Sequence, residues 1–205
     1  MADNMDFNGA EAQDAAFDLI PANTLVKVTL TIRPGGAGPE GWLTQSRTSS
    51  ALYLNTAAVV LEGPHARRRI YTRIGFKGKS VNERGEDTYA NRGRALIRGI
   101  LESARGIKAS DQSEAARAAR MIRSLGDLNG LDFVARVGVE KDRNNPDDAG
   151  RNVIKAAIGP EHAQYSAVMG AAPSAGMAVP PAPQTPPAPS APAAPSASGA
   201  PFWAR

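Results

Sequence analysis

Between Leu25 and Arg33 the chain alternates strictly. Val26, Val28, Leu30 and Ile32 fall on one side, and Lys27, Thr29, Thr31 and Arg33 on the other. A period of two is that of a strand with one buried face, here with a polar and basic outer face. The stretch PGGAGPEG at 34–41 breaks the pattern, and Trp42 follows it. A second strand is predicted within 51–63, where Leu52, Leu54, Ala58 and Val60 alternate with Tyr53, Asn55, Ala57 and Val59. GPHA makes the next turn. In the third strand Ile70, Thr72, Ile74 and Phe76 form the apolar face. Arg69, Tyr71, Arg73 and Lys77 take the opposite one, with Gly75 between them.

The period then changes. After a polar loop over 79–93, Leu96, Ile97, Ile100, Leu101 and Ala104 recur at helical spacing, and Gly106 is the expected stop. A second helix is predicted over 113–126, capped by Ser110 or Asp111. It is expected to bury Ala115, Ala119, Ile122 and Leu125, to hold Arg117, Arg120 and Arg123 mostly outside that stripe, and to end at Gly126. Two strands close the series. Residues 131–141 bury Leu131, Phe133, Ala135, Val137 and Val139 and expose Arg136; residues 151–158 bury Ile154, Ala156 and Ile158 and expose Arg151, Val153 and Lys155. The loop between them carries Asp142, Asp147 and Asp148, whose spacing is not that of a calcium loop, so no metal is expected.

Three strands, two helices and two strands predict a mainly β fold: a five-stranded OB-like barrel with a two-helix insertion, spanning 25–160. A simple α+β sandwich is the alternative. Residues 1–24 form an acidic N-terminal segment. Residues 161–200 are rich in Ala and Pro and too poor in core formers to fold, and so read as a disordered linker. The tip at 201–205 (PFWAR) carries Phe202 and Trp203, candidate partner-docking residues.

Charge sharpens the picture. Residues 1–24 hold five acids and no Lys or Arg, whereas residues 25–160 hold 23 basic and 14 acidic residues, a surplus of nine. A surplus of that size on a small domain points to a polyanion partner, and the acidic segment tethered to it suits a weak internal mimic of one. On the third strand the period of two sets Tyr71 between Arg69 and Arg73 on one surface. A ring can stack on a base while guanidinium groups take phosphates; an ordinary solvated sheet face has the same composition. The basic and aromatic pattern recurs along the chain. The candidate nucleic-acid-binding residues are Lys27, Arg33, Trp42, Tyr53, Arg67, Arg68, Arg69, Tyr71, Arg73, Lys77, Lys79, Arg136, Arg151 and Lys155.

Catalytic chemistry is not indicated. There is no cysteine, the two histidines (His65 and His162) stand far apart, and no HExxH, GxxxxGK[ST] or GxSxG motif occurs. GGAG at 35–38 follows a strand without opening a helix, so it is not a phosphate cradle. No cofactor is expected. The acidic, run-free N-terminus is not a signal peptide, and no stretch reaches about 20 apolar residues, so a cytoplasmic location is expected.

Four pieces, taken in order, carry a family resemblance: FDLIPANTLVKVTLTIRPGG, YLNTAAVVLEGPHARRRIYTRIGF, GRALIRGILESARGI, and LDFVARVGVEKDRNN followed by GRNVI. Together they resemble a phage and prophage family, long catalogued as a domain of unknown function, whose members are described as single-stranded DNA-binding proteins of replication or recombination modules. The resemblance covers roughly residues 6–160. It implies an OB-like fold and single-strand binding without catalysis, in the cytoplasm of a bacterial host. It also implies that Arg67, Arg68, Arg69 and Tyr71 stand where members place basic and aromatic residues. The expected function is sequence-independent binding of single-stranded DNA, with a tail that recruits phage or host replication or recombination proteins. The alternatives are a protein–protein adaptor or virion accessory protein without a nucleic-acid role, and an RNA-binding protein.

Overall fold

A computed structural model describes residues 6, 8, 9, 18–142, 144, 145 and 148–170. Its centre is one antiparallel sheet of six strands: β1 (Leu25–Arg33), β2 (Thr44–Gln45), β3 (Leu52–Val60), β4 (Arg69–Lys77), β5 (Asp132–Glu140) and β6 (Arg151–Ile158). β1 lies between β3 and β5. β4 pairs with the far side of β3, β6 with the far side of β5, and the short β2 extends the line of β1 along β3. The five long strands therefore run β4-β3-β1-β5-β6. Among the described residues no backbone ladder joins β4 to β6, so the sheet is open. The two strands still approach one another: Ile154 N–H donates to Thr72 Oγ1 at 3.0 Å.

The register fixes one face as core. Val28 lies opposite Val60 and Phe133, Leu30 opposite Ala58, and Leu54 opposite Ile74. All seven are essentially inaccessible, as the period of two requires when one face is buried. Thr56 also points inward; its Oγ1 donates to Thr72 O at 2.7 Å, which satisfies the hydroxyl at no cost to the core.

Two irregularities overturn expected alternations. The β3–β4 register shifts at Leu52/Tyr53, so that Tyr53 faces Gly75 and Leu52 faces Lys77. Phe76 is the extra residue of this bulge and is 40 % exposed, not buried. The β5–β6 register shifts at Arg136/Val137 and leaves Lys155 unpaired. This shift turns Val153 into a buried position, against the expectation of exposure.

The helices also differ from expectation. α1 (Thr88–Arg105) begins six residues before Arg94, because the Asp87 side chain accepts the Ala90 N–H and caps it. α1 crosses β4 at a glycine pair. A Cβ on Gly93 would lie 1.7 Å from Gly75 O, so only hydrogen at both positions permits the approach. The predicted second helix shrinks to α2 (Glu114–Ala118), capped by Ser113 rather than Ser110 or Asp111, followed by a 3₁₀ turn at Leu125–Leu128 that contains Gly126. Ala115 is exposed, contrary to its place in the predicted stripe. Arg120 turns inward instead of outward and, with Arg98, brackets the buried Glu102 at 2.7 and 2.8 Å. Burial pushes the Glu102 carboxyl up, but the hydrogen bonds from Arg98 and Arg120 outweigh it and hold it below the usual range.

The fold outgrows its expected limits at both ends. Ile20 is fully buried in the core, ahead of residue 25. Beyond residue 160, where a linker was expected, α3 (Tyr165–Met169) packs on the outer face of β1, β5 and β6. Tyr165 and Met169 bury there with Val134 and Ile158, and the Tyr165 hydroxyl donates to Ser103 O at 2.6 Å. The remaining linker and the docking tip with Phe202 and Trp203 lie outside the described residues, as do three of the five N-terminal acids, Asp3, Glu11 and Asp14.

Candidate nucleic-acid interface

α3 divides the outer surface of the sheet. It covers the side at Leu25, Val134 and Ile158 and leaves free the side formed by β3, β4 and the end of β1. On the free side the register builds rows across three strands: Arg33–Asn55–Arg73, and Thr31–Ala57–Tyr71. Neighbouring rows interlock. The Arg33 guanidinium lies 5.3 Å from the centre of the Tyr71 ring, and that of Arg73 lies 5.2 Å from the centre of the Tyr53 ring. Both separations are within the range of cation–π attraction. Tyr71 nevertheless keeps 49 % of its surface exposed, so its ring remains available to a ligand.

Beside these rows runs the seam between β4 and β6. Three hollows, of about 580, 540 and 500 Å³, follow one another along it. The first and second share Tyr71 and Arg151; the second and third share Arg73, Tyr89 and Lys155. They form one groove, from the turn at Arg67–Arg69 to Arg92 on α1. Seven basic side chains line it (Arg67, Arg68, Arg69, Arg73, Arg92, Arg151 and Lys155) against two acids, Asp18 and Glu140. Glu140 is paired with Arg151 at 2.9 Å, so the surplus of positive charge is carried mainly by the β4 side.

Local structure aims these groups. Arg67 sits at φ +68° in the turn before β4, a left-handed conformation that costs a non-glycine residue about 1–2 kcal/mol. Its N–H is held by Val60 O at 2.7 Å. Arg68 donates to Asp18 O. Tyr89 enters from the first turn of α1. Burial pushes its hydroxyl pKa up; Arg73 opposes this and Tyr53 adds to it, so the two side chains are its electrostatic neighbours.

The structure thus brings together Arg33, Tyr53, Arg67, Arg68, Arg69, Tyr71, Arg73, Arg151 and Lys155 from the candidate set. It separates the others. Lys27 pairs with Glu62 at 3.7 Å, near the end of α3. Arg136 lies opposite Leu25 and Ala156 on the side that α3 covers, and is half-buried rather than exposed. Lys77 and Lys79 are exposed but follow the bulge and do not line the groove. Trp42 packs its ring against Gly126 and, with Phe76 and Ile122, walls a separate apolar hollow of about 300 Å³. Tyr89 and Arg92 escaped the sequence reading, because the segment that holds them reads as a polar loop; the signal that could have found them is the Asp87 cap.

Asp148 accepts the N–H groups of Asp142 and Gly150, which hold its carboxyl below the usual range, so this acid serves its own turn. Among the described residues no helix is long and apolar enough to cross a membrane. No family model matches the chain, and no curated protein matches its sequence.

Proposed function

We propose that the groove along β4 binds a single strand of DNA, largely without regard to sequence, and that the protein acts without catalysis. One observation carries this reading: Tyr53, Tyr71 and Tyr89 gather beside a groove with seven basic side chains and two acids. Every base offers a flat face to a tyrosine ring, and every nucleotide offers a phosphate to a guanidinium. The arginines already lying over the tyrosine rings keep those rings oriented, which lowers the ordering cost of binding.

The strand order supports the same reading. The second and third long strands carry Tyr53 and Tyr71, and α1, which carries Tyr89, lies between the third and fourth in chain order. In an OB barrel the face of the second and third strands binds oligonucleotides. In this proposal the seam between β4 and β6 is where such a barrel comes near to closing. Membership of the phage and prophage single-strand-binding family is part of the proposal, as are a place in replication or recombination, the bacterial cytoplasm and recruitment of partners through Phe202 and Trp203. The preference for DNA over RNA rests on that resemblance.

The test is a competition. Labelled oligo-dT bound to the protein should be displaced by unlabelled single-stranded DNA and far less by duplex of the same length. RNA that displaces it equally well makes the protein a general single-strand binder. No binding of any strand returns the protein to the adaptor class.

A further inference from the structure

Taking the groove as the nucleic-acid site just proposed, we infer that residues 1–17 are an intramolecular competitor for it. The chain enters the fold at the groove's mouth. Ile20 is fully buried, and Asn152 of β6 holds its backbone on both sides: Ile20 N–H donates to Asn152 Oδ1 at 2.9 Å, and Asn152 Nδ2 donates to Ile20 O at 2.8 Å. Two residues earlier, Asp18 O accepts a hydrogen bond from the Arg68 guanidinium. Asp18 and Leu19 share a hollow with Arg67, Arg69, Tyr71 and Arg151. The point of entry is therefore pinned among the cations that are to meet phosphates.

Everything upstream of that point has the opposite charge. Residues 1–17 contain Asp3, Asp6, Glu11 and Asp14 and no Lys or Arg. Extended, 17 residues reach at most about 60 Å, whereas the nine residues of β4 span about 30 Å, so the segment is long enough to run the length of the groove. A short tether gives it an effective concentration of the order of millimolar. Carboxylates bind the groove more weakly than a nucleic acid does, because they are fewer and carry no bases to stack. The result is a competitor that long strands displace and that weak polyanions do not.

The measurement compares three proteins: the native chain, a chain lacking residues 1–17, and a chain with Asp3→Asn, Asp6→Asn, Glu11→Gln and Asp14→Asn. All three keep Asp18 and the Ile20 anchor. Affinity for labelled oligo-dT is read by anisotropy at about 0.01 M salt, where the screening length is about 30 Å, and at about 0.15 M, where it is about 8 Å. Both altered chains should bind roughly two- to tenfold more tightly than the native chain at the lower salt, with the gap narrowing at the higher. Amide resonances of Arg67, Arg68, Arg69 and Tyr71, recorded without nucleic acid, should differ between native and altered chains at low salt.

Equal or weaker binding by the altered chains, with unchanged amides, overturns the inference and leaves the groove reading intact. Tightening by the truncated chain alone also overturns it, since the acids would then not be the cause. If no chain binds oligo-dT, the groove reading falls and the competition with it.

Discussion

Tyr71 and its flanking arginines have separable roles. Tyr71 supplies a half-exposed ring and no charge, so Tyr71→Ala should weaken single-strand binding by about 1–3 kcal/mol and leave the salt dependence unchanged. Its loss from the Arg33 contact should cost the fold only about 0.5–1 kcal/mol. Replacing Arg69 and Arg73 together by Gln should make the log–log salt slope shallower by about 1.4, from two phosphate contacts at ~0.7 each. Anisotropy titrations over a salt series, with urea unfolding of the same variants, separate the effects. If Tyr71→Ala lowers stability and spares binding, the ring is a packing residue. These positions were legible in the sequence because the period of two puts Arg69, Tyr71 and Arg73 on one surface whatever the tertiary context. Trp42 was not: nothing local distinguishes a stacking ring from one that packs on Gly126.

At the scale of elements, α1 walls one end of the groove, and its crossing of β4 depends on Gly75 and Gly93. Gly93→Ala would drive a methyl into Gly75 O, with no flexible side chain there to give way. It should destabilise the fold by about 1–3 kcal/mol or more, read by urea unfolding, and should weaken binding as Tyr89 moves with the helix. The other clamp joins α1 to the segment after α2 through Glu102. Arg120→Gln removes one charged hydrogen bond to it and should cost about 1.5–3 kcal/mol at pH 7. The folded Glu102 carboxyl is held below its ordinary value, so its contribution is present above the unfolded value of about 4.3 and is lost as pH falls through the lower folded one. The gap in urea midpoint between native protein and Arg120→Gln should therefore close in acid. A gap that is constant with pH would assign the loss to packing. Strands with one buried face were readable because alternation reports that face directly. The early start of α1, the shortness of α2 and the docking of α3 were not. The first depends on one capping side chain, the second on Arg120 turning inward to Glu102, and the third on a surface at Val134 and Ile158 that exists only once β1, β5 and β6 are assembled.

For the molecule as a whole, charge is segregated along the chain and again in space. The excess of cations on residues 25–160 is concentrated by the strand order at the β4–β6 seam, and Asp18, where the chain enters the fold, lies at one end of it. Bulk charge predicts a polyanion partner, but only the register says where on the surface the cations gather. The central claim is that a single strand is captured by phosphate contacts in this groove, with stacking added. The most direct measurement is the affinity of the native chain for oligo-dT across a salt series. Four to seven phosphate contacts predict a linear log–log plot with a slope of roughly −3 to −5. A flat response, or no binding at the lowest salt, would contradict the claim.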